Sequence, residues 1–482
     1  MGSDPQFAKY PDLTLAQHIF SLANAPRTAQ PVSLNYLQNA IKNQKMAPLY
    51  RHLAHPSDGV LNSMGESTAQ PPQPPPKPAA RRASLVSSNL LPPKRPVPSG
   101  ILPWDESLYE ELKADNAKEL EQFQKEEEEA EEKAGETEIQ AARSKRAEFW
   151  ARVGDKDKAI AAYEKVFDKT GPLGTKIDIV LAIIRIGIFF NDKAFTKKQI
   201  ERANILVESG GDWDRRNRLK AYKGLHLLTV RSYNLAAPLL LDSLSTFTSY
   251  ELCSYSSLVV YAVLAGSLSL KRVDFKAKVV DAPEIKAILG NSEDKVPGAD
   301  EEMKDASAAT AERASGLVNV NALGTSSAAQ SQTEAPVDVS SLGELVNSLY
   351  NGNYRNFFLA LAAVEENFLT QDRYLYEHRA WFVREMRLRG YQQLLQSYRV
   401  VGLRTMAQAF GVSVDFLDRD LAKFIAGGRV SCTIDRVQGT IETTRPDDKN
   451  KQYADVVKQG DALITKLQKY GQAVRLRGSE RA

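Results

Sequence analysis

The chain has 482 residues, and 63 Lys+Arg against 60 Asp+Glu leave a formal net charge of +3. That balance excludes a generally basic nucleic-acid binder and an acidic solvating tail, while 43% hydrophobic residues suffice for a sizeable core in roughly three domains. Two distant cysteines, Cys253 and Cys432, exclude a disulfide framework and a zinc ribbon and fit a reducing compartment.

The N-terminus opens with Asp4 and Pro5, without a basic stretch before an apolar run, so no signal peptide is expected. Residues 1–56 read as helical, with Leu13, Ile19, Phe20 and Leu22 near one stripe and Leu34, Leu37, Ile41 and Met46 near another. Residues 57–103 read as a Pro-rich linker, because eleven of the 23 prolines lie between Pro71 and Pro103. Residues 104–148 read as a charged, solvated helix carrying the Glu126–Glu132 run. Helical repeats are expected over 149–290, a disordered insertion over 291–341 where periodicity is lost, and the last repeats over 342–398. Within the repeats, Leu252–Leu270 is uncharged and long enough for a bilayer. Five serines and Gly266 dilute it, so a buried helix is the expectation and no membrane span.

Two copies of one local pattern define the repeats. Gly154-Asp155-Lys156-Asp157-Lys158-Ala159-Ile160 leads to Tyr163 and Val166; Arg231-Ser232-Tyr233-Asn234-Leu235-Ala236-Ala237 leads to Leu240 and Ser243. Gly352-Asn353-Tyr354-Arg355-Asn356-Phe357 is a weaker copy. Ala159 and Ala236 are 77 residues apart, about two repeats of the ~34–40 class. An early alanine permits close approach of antiparallel helices, as in tetratricopeptide-like hairpins that stack into a solenoid.

Residues 399–447 read as a winged helix: Val400-Val401 as a short strand, a helix Leu403–Phe410 stopped by Gly411, a second helix N-capped by Ser413, then strands Val430–Ile434 and Thr440–Thr444. The second helix is where such a module reads DNA, but Asp415, Asp418 and Asp420 outnumber Arg419 and Lys423. A protein-facing wing is therefore expected, with an exposed strand edge offered to a neighbour. Residues 448–482 form a C-terminal helix and tail, whose stripe of Val457, Leu463, Ile464, Leu467 and Tyr470 either folds back on the wing or packs into a partner bundle. The expected interface residues are thus Val430, Cys432, Ile434, Val457, Leu463, Ile464, Leu467 and Tyr470.

Other tempting features carry little. The basic run Arg215–Lys220 beside Trp213 follows Asp212 and Asp214, as at a helix start. Arg81-Arg82-Ala83-Ser84-Leu85 resembles a kinase site, and Pro92–Pro96 a nuclear import patch. No HExxH, phosphate loop, dinucleotide fingerprint or locally oriented catalytic set occurs, so neither an enzyme nor a cofactor is expected.

Helical repeats, a winged helix and a trailing helix in this order are the architecture of the PCI domain. The strings Gly210-Gly211-Asp212-Trp213-Asp214-Arg215-Arg216-Asn217-Arg218-Leu219-Lys220, Ser243–Leu252, Tyr391–Arg399 and Met406–Val412 resemble a narrower family, that of the non-ATPase regulatory subunit six of the 26S proteasome. The resemblance covers about 105–290 and 342–470. The first subunit of the COP9 signalosome shares the architecture without the Trp213–Lys220 string. The resemblance implies a non-catalytic scaffold of the proteasome lid, supporting ATP- and ubiquitin-dependent degradation. Its implied partners are other PCI and metalloprotease-fold lid subunits, with the ATPase ring as a further neighbour, in a hetero-oligomer of the cytoplasm and nucleus. Deubiquitination would belong to a separate metalloprotease subunit. The alternatives are a nucleic-acid-binding PCI protein and a COP9 signalosome-like scaffold. The 57–103 and 291–341 segments depart from the family pattern.

Overall fold

The computed structural model describes residues 7, 9–24, 30–56, 59–63, 102–133, 135–289, 339–443 and 448–479. Ser84, the Pro92–Pro96 patch and almost all of the 291–341 insertion lie outside the described residues. Within the segment read as a Pro-rich linker, Val60–Ser63 form a helical turn and Leu61 is buried, which moves the start of that segment downstream. Two compact units are present: Met1–Asn351 with Leu359–Val383, and Gly352–Phe358 with Arg384–Ala482.

The first unit is helical throughout its described residues. It begins with α1 (Leu13–Asn24), α2 (Gln30–Gln44), α3 (Ala47–Ala54) and α4 (Val60–Ser63). The segment read as one charged helix is instead two, α5 (Glu106–Lys133) and α6 (Glu136–Val153), broken at Gly135. The acidic run of α5 meets the basic face of α6: Glu127 bonds Arg143 at 3.1 Å and Arg146 at 2.9 Å, and Glu126 bonds Lys145 at 3.1 Å. Burial alone would raise the Glu127 carboxyl pKa, but the two guanidiniums outweigh it and hold it below the usual range. The glutamates thus serve as an internal ion-pair ladder as well as a solvated face.

The repeats follow as hairpins: α6 with α7 (Lys156–Lys169), α8 (Leu173–Phe189) with α9 (Lys193–Glu208), and α10 (Trp213–Thr229) with α11 (Tyr233–Ser243). Each turn uses a single left-handed residue, Gly154 (φ 84°), Asn191 (φ 53°) and Arg231 (φ 67°). The next residue then donates its N–H five back: Asp155 to Trp150 O, Asp192 to Gly187 O, and Ser232 to Leu227 O. This is the Schellman closure, and it satisfies carbonyls that a helix end leaves free. Lys45 (φ 54°), followed by Met46 N–H on Ile41 O, repeats it between α2 and α3. Five residues past each hairpin turn lies a side chain fully enclosed between helices: Ala159, Thr196 and Ala236. The Asn191 hairpin is a copy that sequence reading overlooks, because Thr replaces the alanine and Asn replaces Gly at its turn.

Helix α12 (Tyr255–Ser269) is buried on most faces, the place expected for the uncharged stretch. No helix among the described residues is long and apolar enough to cross a membrane. α13 (Arg272–Phe275), α14 (Pro283–Leu289) and α15 (Ser340–Asn351) follow, then α16 (Tyr354–Val364). Residues 371–378 stitch this unit together. Arg373 Nη2 donates to Phe189 O at 2.6 Å and Ile188 O at 3.2 Å, and Gln17 Nε2 donates to Gln371 O at 2.6 Å.

The second unit is built on α17 (Arg379–Ser397) from Arg384 onward, followed by β1 (Val400–Gly402), α18 (Leu403–Phe410), α19 (Val414–Ala426), β2 (Cys432–Asp435), β3 (Thr440–Thr443) and α20 (Asp448–Ser479). Ser413 Oγ caps α19 by accepting Phe416 N–H at 3.3 Å, and Gly411 ends α18 at φ 67°. Tyr391, Met406, Phe410, Leu417, Leu421 and Ile441 form its core. The sheet is antiparallel in the order β1-β3-β2, with Val401 opposite Ile441 and Ile434 opposite Ile441 on the other side. This is the winged helix the sequence predicts.

Candidate interaction surfaces

Strand order decides what the wing can offer. β3 is central, so its backbone is paired on both sides and Thr440–Thr443 presents no free edge. The expectation that either β2 or β3 could receive a neighbour's strand is corrected accordingly: the edges are β2 and β1. Val430 and Cys432 are buried in the wing's own core, and Ile434 packs against it. Their side chains therefore hold the strand in place, and burial raises the Cys432 thiol pKa. What β2 presents outward is its backbone edge. The β2–β3 loop is held by Asp435 Oδ1, which accepts Val437 N–H at 2.8 Å and Gln438 N–H at 3.2 Å. Val437 at its tip is 96% exposed.

The acidic face assigned to α19 also changes. Asp420 is buried and accepts the Tyr391 hydroxyl at 3.2 Å, with Arg387 Nη2 at 3.5 Å. Buried next to that carboxylate, the Tyr391 phenol is pushed well above its ordinary pKa. Asp418 pairs with Arg436 at 2.8 Å. Outward, Asp415 and Asp418 are thus balanced by Arg419 and Lys423, beside the partly exposed Val414 and Phe416. The surface is neutral and mixed, not acidic.

The basic run on α10 is largely consumed internally. Arg215 grips buried Asp178 through two bonds of 3.0 and 2.7 Å, and Arg218 pairs with Asp214 at 3.0 Å. Arg216 Nε donates to Gly211 O at 3.2 Å. Among the described residues, no group of three or more His, Cys, Asp or Glu could hold a metal ion.

The last helix is different from every other. Val457, Leu463, Ile464, Leu467 and Tyr470 are 55–71% exposed, as are Tyr453, Val456 and Val474. Tyr453, Val456, Gly460, Leu463, Leu467, Tyr470 and Val474 follow alternating three- and four-residue steps. Val457, Ile464 and Gly471 each lie one position after a seam residue. That places a 3.5-residue seam, widened on one side, along about 30 Å of helix. An added Cβ at Gly460 or Gly471 would meet nothing within 4 Å.

Three family models match the chain in the order of these elements. The model of 26S proteasome subunit RPN7 covers residues 105–278, the PCI domain 355–445, and the RPN7/PSMD6 C-terminal helix 452–474. The chain is 38% identical to the 26S proteasome regulatory subunit RPN7 of Saccharomyces cerevisiae, over 99% of this chain and 96% of the yeast protein. The chain belongs to the RPN7/PSMD6 family. Similarity extends to 26S proteasome non-ATPase regulatory subunit 6 of Dictyostelium discoideum, 34% identical over 98% of this chain and 100% of that protein. The Caenorhabditis elegans protein of the same name is 35% identical over 97% of this chain and 94% of its own length. The RPN7 segment spans the repeat hairpins, the PCI segment contains the wing, and the third model falls on the exposed stripe of α20.

Proposed function

We propose that this chain is a non-catalytic scaffold subunit of the 26S proteasome regulatory particle lid, in a hetero-oligomer of the cytoplasm and nucleus. Its partners would be other PCI and metalloprotease-fold lid subunits and the ATPase ring, with no nucleic acid or membrane contact. The names of its relatives support the assembly, and the neutral surface of α19 suits a protein neighbour better than a phosphate backbone. The observation that carries the reading is the uncovered seam of α20. Five large apolar side chains at about 1.5–3 kcal/mol each when fully buried would supply several kcal/mol of association after ordering costs. With Val457 and Ile464 widening the seam, the pattern suits a bundle of several helices better than a two-stranded coil.

Leu463 and Leu467 lie one turn apart on that seam. Replacing both by Asp should leave the circular dichroism and melting of the free chain unchanged, because neither side chain is buried within it. The same variant should fail to enter the lid in cell extracts fractionated by size, because two carboxylates would be buried unpaired. Normal incorporation would refute the anchor role, and a collapsed monomer would mean that the helix caps its own wing.

A further inference from the structure

We propose that the groove between α6 and α7 is a docking site for an acidic peptide segment with apolar residues among its carboxylates. The groove has a volume of about 420 Å³ and lies inside the first unit. On α6, Arg143, Arg146 and Trp150 share one face; on α7, Lys158, Lys165 and Lys169 line the facing wall. Between them the floor is small and apolar, with Ala161, Ala162 and Val166.

The charges are not equivalent. Arg143 and Arg146 are held by Glu127, so they are fixed cations with little left to offer. Lys158 pairs with Asp155 at 3.1 Å and lies 4.6 Å from the centre of the Trp150 ring. Lys165 and Lys169 are exposed on the rim. Glu127 and Asp168 in the lining, with Glu131 on Arg143 and Asp155 on Lys158, offset four of the five cations, so the net excess is one positive charge, presented by Lys165 and Lys169, for which no ion pair is found among the described residues. Complementary carboxylates would be attracted and steered there.

Lys158 to Lys169 spans eleven residues of helix, about 16 Å, which an extended peptide covers in about five residues. Alternate side chains of such a strand point to opposite sides. Carboxylates can then meet Lys165 and Lys169 while apolar side chains settle on the alanine floor beside Trp150. A nucleic acid fits less well, since a single aromatic ring gives only one base a platform.

Fluorescence polarisation on the full chain tests this with three labelled probes: a decapeptide of alternating Glu, Asp and Leu, a decamer of Glu alone, and ten-nucleotide polyuridine RNA. The mixed peptide should bind most tightly. Lys165→Glu with Lys169→Glu should weaken it by about tenfold or more, and the milder Lys165→Ala with Lys169→Ala by less. Lys198→Glu with Lys278→Glu, exposed lysines elsewhere, should change it by less than about twofold, since remote exposed charges are screened by salt. Equal losses in both charge-reversed chains would reduce the effect to net charge and overturn the proposal. Tighter binding of RNA, or no binding of the mixed peptide, would overturn it as well.

Discussion

Thr196 occupies the position that Ala159 and Ala236 fill in the flanking hairpins, and the extra volume is absorbed by the opposite helix. A Cβ added to Gly187 would lie 2.6 Å from Thr196 Oγ1, and that hydroxyl already donates to Asp192 O at 2.7 Å. Gly187→Ala should therefore cost about 1–3 kcal/mol through overpacking. Thr196→Ala in the same chain should return at least half of the loss, since it vacates the contested space; thermal melts of the two singles and the double decide it. Independent, additive losses would mean that the two residues do not share this space. Four residues before Thr196, and directly after the left-handed Asn191, Asp192 is both N-cap and ion-pair partner. Burial would raise its carboxyl pKa, but Lys156 at 2.8 Å and Phe195 N–H at 3.1 Å prevail and lower it. A lowered carboxyl contributes stability above the pKa of the unfolded chain and loses it as pH falls through the folded value. Asp192→Ala should cost about 1–2 kcal/mol near neutrality, with the gap to wild type closing in acid. Urea titrations at neutral pH and below about pH 4 would show it, and a constant gap would contradict the assignment.

At the level of elements, α20 and β3 are opposites. β3 is bonded on both sides and carries Ile441, fully buried, whereas α20 exposes its whole stripe. Amide exchange in the free chain should be slow in β3 and α19 and much faster in 452–475, because an isolated helix draws little support from packing. Assembly should slow exchange along α20 and along the outer edge of β2, and leave β3 unchanged. Protection of 452–475 in the free chain would mean that the stripe is already covered. The alternating pattern of the two wing strands was legible in the chain, but their order was not. Sequence periodicity states which face of a strand is apolar and is silent on which neighbours it pairs with. For the same reason Asp420 read as a surface charge: its place next to Tyr391 depends on α17, 29 residues earlier.

Across the whole molecule, the class of fold and the sequence of modules could be read from periodicity, because helix faces and turn residues are local properties. Ala159 with Tyr163, and Ala236 with Leu240, announce their hairpins in this way. The Asn191 hairpin was hidden, since its identity lies in the matched pair Gly187 and Thr196 on two different helices. The α5–α6 break at Gly135 was hidden by a charge run that favours helix on both sides. Gly135 is a local cue outweighed by the charge run around it, whereas the Gly187–Thr196 match and the α6–α7 groove, whose walls come from facing helices, exist only in the folded chain.

The one-residue left-handed turns have a consequence for how the family can vary in length. Each helical residue rotates the chain by about 100°, so a single residue gained at 154, 191 or 231 would swing Ala159, Thr196 or Ala236 out of its seam. These joints are intolerant of insertion, while the spaces between consecutive hairpins carry no such rotational lock. Residues 290–338 lie in the sequence between α14 and α15, away from these three turns. One alanine inserted after Asn191 should abolish cooperative melting of the chain, whereas several inserted within 290–338 should leave the midpoint unaltered. Gains and losses of sequence in this lineage would then collect between the hairpins, leaving their turns at constant length.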